Sequence, residues 1–146
     1  MPLNQRRADI TWKGDLVEGS GRLRVGSNAF PEQTMTFNNR TEKQEGTTPE
    51  ELIAGALATC YVMVLANMMK QAGNPAAQLD VGAVATLDRV EGALKITEIA
   101  LTVKGNVPGF EAAQFEEIAR NAEQKCPVAN ALRGNVNVTV DASLAS

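Results

Sequence analysis

Two cysteines and the absence of histidine limit the chemistry open to this chain of 146 residues. Cys60 lies within Leu52–Met69, a run without any charged residue, and Cys126 is followed directly by Pro127. A thiol in apolar surroundings is normally inert, and it becomes a nucleophile only where a nearby positive charge stabilises the thiolate. Because the chain has no histidine, that charge has to come from an arginine or a lysine.

Arg40, in the polar segment 38–46, and Glu50 are the candidates for activating Cys60. A guanidinium against the sulfur, oriented by a bidentate pair with Glu50, would provide the positive charge. The alternatives are a solvated loop charge for Arg40 and a favourable interaction of Glu50 with a helix N-terminus. Ten helical residues separate Glu50 from Cys60 by about 15 Å along the axis. These side chains of one chain cannot meet, so a shared site needs Glu50 from a second subunit.

Cys126 precedes Pro127 at the predicted N-cap of a short helix. Backbone N–H groups and the positive end of the helix dipole favour a thiolate at such a position. The alternative for Cys126 is a small buried hydrophobic residue, and the same alternative holds for Cys60, since buried free cysteines are common. Spacing alone does not bring the two cysteines together, so at this point their pairing stays open.

Composition excludes several classes of function. The formal net charge of −3, 4% aromatic residues and the lack of a basic block argue against nucleic-acid binding. Two cysteines without histidine are too few for a zinc site, which needs three or four nitrogen or sulfur ligands. The lack of histidine also excludes Ser-His-Asp and Cys-His catalysis. We expect neither a metal nor another cofactor.

The N-terminal residues contain no apolar segment of the signal-peptide type, which predicts a cytoplasmic location. Leu52–Met69 approaches the length of a membrane span, but Gly55, Thr59 and Asn67 lie inside it and segments of strand character flank it. We therefore expect no membrane partner and a helix buried on nearly all sides. One small sheet can hardly cover such a helix, so the sequence predicts a dimer.

The alternation of apolar residues predicts an α+β fold with antiparallel sheet, in a single domain over residues 1–146. The expected elements begin with a hairpin over 8–25 with one buried face, a short strand near Met35 and Phe37, a loop over 38–46 and a helix from Thr48 to Gly73. They continue with strands over 79–87 and 94–103, a helix over 111–123, a short helix over 127–133 and a strand over 136–140.

Two finer features follow from the same patterns. The apolar series on the two middle strands are out of phase by one residue, which predicts a β-bulge near Thr97–Glu98. The helix around Phe115 has its acidic residues, Glu111, Glu116, Glu117 and Glu123, on the expected outer face.

Several motifs together resemble the OsmC/Ohr family of thiol peroxidases. They occur in the family's order over nearly the whole chain: Trp12–Asp15, Phe37–Arg40, Gly46–Ile53, Ala56–Cys60, the strands around Leu87–Asp88 and Ile96–Leu101, and Lys125–Val128. An arginine between the third strand and the long helix resembles the OsmC branch. In the Ohr branch the equivalent arginine comes from the N-terminal hairpin.

The resemblance implies an intertwined homodimer, with antiparallel sheets wrapped around long central helices and two sites at the interface. It implies that Cys60 is the peroxidatic thiol and Cys126 the resolving thiol, joined in a disulfide during the cycle. Arg40, positioned by Glu50, would act on Cys60 from across the interface. The implied substrate is an organic hydroperoxide, under apolar residues such as Tyr61, and the reductant is a dithiol of the lipoyl type.

Two other functions stay open at the level of sequence. One is a redox-inactive dimeric binding or structural module on the same fold, whose cysteines never cycle. The other is a thioesterase-like enzyme, because a long buried helix against an antiparallel sheet, with an acid near its N-terminus, suits that chemistry. The thioesterase hypothesis gives Glu50 a role but leaves Arg40 and both cysteines without one.

Overall fold

The computed structural model describes residues 1–145. The strands are β1 (Ala8–Lys13), β2 (Ser20–Val25), β3 (Gln33–Met35), β4 (Gln78–Val90), β5 (Ala93–Asn106) and β6 (Asn137–Leu144). The helices are α1 (Asn38–Thr41), α2 (Pro49–Gln71), α3 (Ala112–Lys125) and α4 (Pro127–Leu132). These elements confirm the predicted α+β class. The chain divides into two compact units, residues 1–49 and the residues from 50 onward, so the single domain over 1–146 stays a prediction.

The first unit is built on an antiparallel three-stranded sheet of order β1-β2-β3, which confirms the predicted hairpin and third strand. Ile10 and Trp12 flank Gly21 on the neighbouring strand, where an added Cβ would lie 2.9 Å from each of the two side chains. The expectation that this hairpin buries one face is wrong for the single chain. Ile10 is 56% exposed and Trp12 is 40% exposed.

The segment 38–46, predicted as a loop, contains the one-turn helix α1, and Arg40 lies in that turn. Short polar side chains explain the added structure because they bond backbone donors locally. The Thr36 hydroxyl accepts the Asn39 N–H at 3.3 Å, and the Asn39 side-chain carbonyl accepts the Glu45 N–H at 3.2 Å. The prediction of a loop over 38–46 is therefore corrected for Asn38–Thr41, which form a helical turn.

Helix α2 begins at Pro49, as predicted, and runs without interruption to Gln71. It ends in a Schellman motif, in which the Gly73 N–H donates to the Lys70 carbonyl and the Asn74 N–H donates to the Met69 carbonyl, each at 3.0 Å. Gly73 has φ of +83°, a left-handed conformation that glycine adopts without a steric penalty. Since the helix is continuous, the axial distance of about 15 Å between residues 50 and 60 holds.

One face of α2 is buried within the chain, through Ala54, Leu57, Tyr61, Leu65 and Met69. The opposite face is exposed in the single chain, as expected if one sheet cannot cover the helix, and burial on nearly all sides in a dimer stays a prediction. By length and composition alone α2 could cross a membrane, a test that core helices of soluble proteins also pass. The cytoplasmic location stays a prediction.

The second unit contains a sheet of order β4-β5-β6. Strands β4 and β5 form an antiparallel hairpin, with Ile96 opposite Leu87 and Glu98 opposite Thr86. Thr97 has no opposite residue, which confirms the predicted β-bulge. Strand β6 runs parallel to β5, so the expectation of a purely antiparallel sheet is wrong at this edge. The reason is the helical crossover through α3 and α4, which returns the chain to the end where β5 began.

The core of the second unit lies between α2, α3 and the inner face of the sheet. Tyr61 is wholly buried there, and its hydroxyl donates to the Ala119 carbonyl at 2.8 Å, which joins α2 to α3. Burial raises the pKa of the Tyr61 hydroxyl far above its usual range. Tyr61 is therefore a core residue, and the expectation that it lines a substrate pocket is wrong for the single chain.

Gly105 on β5 tests how tightly this core is packed. A Cβ at residue 105 would lie 2.6 Å from the ring of the fully buried Phe115, whereas a Cβ at Gly82 on β4 would meet nothing within 4 Å. We expect Gly105→Ala to lower the free energy of unfolding by about 1–3 kcal/mol because the core is overpacked. Urea unfolding measures the change. The matched control Gly82→Ala should stay within about 0.5 kcal/mol of wild type or be more stable. Equal losses in both variants would contradict the packing argument.

Candidate active site

The fold brings the two cysteines together. Cys60, near the middle of α2, is partly buried against the core cluster that also contains the fully buried Cys126. The two thiols are close enough for Cys60 to raise the pKa of the Cys126 thiol. Both cysteines are reduced.

Cys126 lies where α3 ends and α4 begins, as the Cys-Pro pattern predicts. It is the C-cap of α3 and the N-cap of α4, with Pro127 at the first helical position. The Cys126 side chain makes no capping hydrogen bond, but the nearby backbone N–H groups of Val128 and Ala129, in the first turn of α4, lower the pKa of the thiol.

The net effect on Cys126 differs from the expectation. Burial raises the pKa of the Cys126 thiol, and this effect outweighs the nearby backbone N–H groups, which lower it. The neighbouring Cys60 thiol raises it further. The backbone groups act in the predicted direction, but burial decides the net direction, so Cys126 holds its proton at neutral pH.

Glu123, expected on the outer face of α3, is buried and only 6% exposed. Arg133, directly after α4, forms an ion pair with it at 2.9 Å. Sequence reasoning missed both residues. The sequence did contain a signal for the burial of Glu123. Residue 123 follows Phe115 by eight positions and Ala119 by four, so it lies on the same buried face of the helix.

Arg40 belongs to the first compact unit and Glu50 to the second. Arg40 is partly buried in α1, and Glu50 is buried in the first turn of α2, only 8% exposed. Both side chains interact with other groups. A carboxylate is rarely buried unless it is paired, so the burial of Glu50 argues against a purely solvated role. The pairing of Arg40 with Glu50 and with Cys60 stays a prediction.

The arginines of the N-terminal hairpin are engaged elsewhere. Arg22 and Arg24 both pair with Glu32, at 3.3 and 2.7 Å, and Arg22 also donates to the Thr34 hydroxyl at 2.8 Å. These contacts lie on the sheet of the first unit. Across residues 1–145, no group of three or more Cys, Asp or Glu side chains is arranged to hold a metal ion.

Comparisons with known proteins agree on one family. Residues 41–141 match the family model described as OsmC-like protein. The chain is 36% identical over 141 residues to peroxiredoxin OsmC of Escherichia coli strain K12, covering 97% of each chain. It is 29% identical over 101 residues to the organic hydroperoxide resistance protein of Xanthomonas axonopodis pv. citri, covering 66% of each chain.

Solved structures agree with this fold. An organic hydroperoxide resistance protein OsmC from Legionella pneumophila superposes with a TM-score of 0.79 at 20% identity, over 98% of this chain and 99% of that one. The organic hydroperoxide resistance protein OhrB of Bacillus subtilis superposes with a TM-score of 0.75 at 24% identity, over 94% and 98%. At these identities the likeness concerns the fold alone.

The protonation of Cys126 can be tested by titration. In a Cys60→Ser variant, the thiolate absorbance near 240 nm reports Cys126 alone among the thiols. Because burial raises the pKa of Cys126, we expect the midpoint above the ordinary value of 9.0. The folded protein then keeps this proton to a higher pH than the unfolded chain does, and unfolding in urea should move the midpoint down. A midpoint at or below 9.0 in the folded variant would contradict the assigned effect of burial.

Proposed function

The chain belongs to the OsmC-like protein family, and from that premise we propose that it is a cysteine-based peroxidase. The substrate class is an organic hydroperoxide, with hydrogen peroxide reduced less well. The observation that carries the proposal is that Cys60 packs against the core cluster that contains Cys126 and perturbs the Cys126 thiol. Relatives named for peroxiredoxin activity and for organic hydroperoxide resistance support the same chemistry.

The first step oxidises Cys60. Its thiolate attacks one oxygen of the hydroperoxide, the O–O bond breaks, and the leaving alkoxide takes a proton to become an alcohol. Cys60 becomes a sulfenic acid, oxidised by two electrons. The partial exposure of Cys60 supports this assignment, because the fully buried Cys126 offers no surface to a peroxide.

The second step joins the two sulfurs. The Cys126 thiol attacks the sulfenic sulfur, its proton leaves with the hydroxyl group as water, and the Cys60–Cys126 disulfide forms. The backbone N–H groups of Val128 and Ala129 lower the pKa of the Cys126 thiol, so they would stabilise the charge that develops during the attack. This step stops further oxidation of Cys60 to the sulfinic acid.

The third step restores the thiols by exchange with an external dithiol. One thiolate of the dithiol attacks the more exposed sulfur, Cys60, and releases Cys126. The second thiol then resolves the mixed disulfide, so the dithiol leaves oxidised and both cysteines leave reduced. A lipoyl group is the dithiol that the family resemblance favours.

Arg40 and Glu50 complete the proposed site from the other subunit of a homodimer. The distance of about 15 Å along α2 separates Glu50 from Cys60 of the same chain, so the carboxylate has to come from the partner. Exposed apolar side chains on β1 and on α2, such as Trp12 and Met63, are consistent with a covering subunit. The hairpin arginines are occupied by Glu32, which favours Arg40 as the activating cation.

Intact mass after peroxide treatment tests the function. We expect one equivalent of cumene hydroperoxide to remove two hydrogen atoms from the reduced protein, because the Cys60–Cys126 disulfide forms. Cys126→Ser should instead gain one oxygen atom and then a second, because Cys60 has no resolving partner. Cys60→Ser serves as the control and should react slowly without a defined product. An unchanged wild-type mass would favour the redox-inactive binding module.

The activating role of Arg40 is tested by the rate of Cys60 alkylation at pH 7. We expect Arg40→Ala to slow it roughly tenfold or more, because a neighbouring cation favours the thiolate. Arg22→Ala is the matched control, since it removes an arginine that pairs with Glu32, and its rate should stay near wild type.

A mixed dimer decides where Arg40 acts. Chains carrying Arg40→Ala and chains carrying Cys60→Ser are combined under different affinity tags. If Arg40 acts across the interface, the Cys60 of the first chain receives the arginine of the second and regains fast alkylation. Continued slow alkylation in a purified mixed dimer would contradict action across the interface.

A further inference from the structure

We propose that Arg133 is a positioning residue for disulfide formation. In this proposal its ion pair with Glu123 holds the α3–α4 junction so that the Cys126 sulfur faces Cys60. The inference rests on the peroxidase cycle proposed above and adds to it a pair of residues that do not touch the substrate.

Arg133 links α3 to α4 across this junction through hydrogen bonds of its guanidinium. Its Nη2 donates to the Glu123 carboxylate at 2.9 Å, to the Glu123 backbone carbonyl at 3.4 Å and to the Asn130 side-chain oxygen at 3.0 Å. Its Nε also donates to that Asn130 oxygen, at 3.3 Å. One guanidinium therefore joins the last turn of α3 to the body of α4, and Cys126 lies on the loop that it closes.

Glu123 is the more buried partner of this ion pair. Its side chain is only 7% exposed, compared with 43% for Arg133. Its second carboxylate oxygen accepts from the Gln124 amide at 2.6 Å, and its backbone carbonyl accepts the Cys126 N–H at 3.2 Å. The residue that receives the guanidinium thus also holds the backbone of the resolving cysteine.

Helix α4 needs such a restraint because it has only six residues. A helix of this length has little stability of its own, so its direction depends on tertiary contacts. The direction of α4 decides how close the Val128 and Ala129 N–H groups, which lower the pKa of the Cys126 thiol, lie to its sulfur. Disulfide formation also tolerates little error in the separation of the two Cβ atoms. A small tilt of α4 would therefore affect both the donors and the distance.

Removing the guanidinium leaves the Glu123 carboxylate buried without its cation. Such a group is strongly unfavourable, so the end of α3 has to move toward solvent. Cys60 should be affected much less, because α2 is joined to α3 earlier, through the hydrogen bond from Tyr61 to Ala119. The proposal therefore predicts a selective defect in the second chemical step.

The experiment measures the two steps separately in the full-length protein. Stopped reactions with cumene hydroperoxide are quenched with dimedone, which labels sulfenic acid, or with acid, and intact mass then gives sulfenic acid, disulfide and sulfinic acid against time. We expect Arg133→Ala to slow disulfide formation about tenfold or more, because a misplacement of about 1 Å is that costly for an intramolecular reaction. Sulfenic acid formation should stay within about twofold of wild type.

Two further variants make the result specific. Arg120→Ala is the matched control, since Arg120 pairs with Glu116 on the same helix at 3.9 Å with both side chains well exposed, and both rates should match wild type. Arg133→Lys keeps the buried carboxylate paired, but an ammonium lacks the planar fork that bonds Glu123 and Asn130 together. It should fold even if Arg133→Ala does not, and it should show an intermediate delay in disulfide formation with more sulfinic acid at high peroxide.

The outcomes separate this proposal from the one it rests on. Selective slowing of disulfide formation supports the positioning role. An unchanged rate in a folded Arg133 variant overturns it, and so does proportional slowing of both steps, which would mean a general loss of structure. If the wild-type protein itself forms no disulfide with peroxide, the peroxidase proposal fails, and the positioning role fails with it.

Discussion

The burial of one thiol against a second, less buried thiol is the constraint on which the site depends. Cys126 is wholly removed from water, and burial raises its pKa in spite of two nearby backbone N–H groups that lower it. In the proposed cycle, a protonated Cys126 would not compete with Cys60 for peroxide and would become a nucleophile only when a sulfenic acid forms beside it. Burial would thus separate the roles of two chemically identical side chains.

Helix α2 and the N-terminal hairpin keep apolar side chains exposed to solvent in the single chain. Helix α2 buries one face against the sheet and α3 and presents Met63, 66% exposed, on the other. The hairpin of the first unit likewise leaves Ile10 and Trp12 accessible. Exposed apolar patches of this kind mark sites of association with another protein chain. In the proposed homodimer, association would also bring Arg40 and Glu50 of the partner subunit to Cys60, so assembly and catalysis would have one structural basis.

Much of the fold could be predicted because local signals and tertiary structure agree. Thr48-Pro49 and Gly73 mark the ends of α2, and the phase change between the middle strands marks the bulge at Thr97. The incorrect predictions concern features that are decided by contacts between distant parts of the chain. The parallel direction of β6 depends on a helical crossover, which period-two alternation does not report. Glu123 was assigned to the surface by its charge, although its spacing placed it on the buried stripe.

The amino-acid sequence by itself determined the elements, the family resemblance and the four residues proposed for chemistry, because residue type and spacing act over a few helical or strand periods. Only the tertiary structure brought both cysteines to one core and showed that burial outweighs the nearby backbone N–H groups in setting the pKa of Cys126. It also revealed the pair of Glu123 and Arg133. The physical reason is that the loss of water around a group depends on everything packed around it, and residues distant in sequence contribute most of that packing.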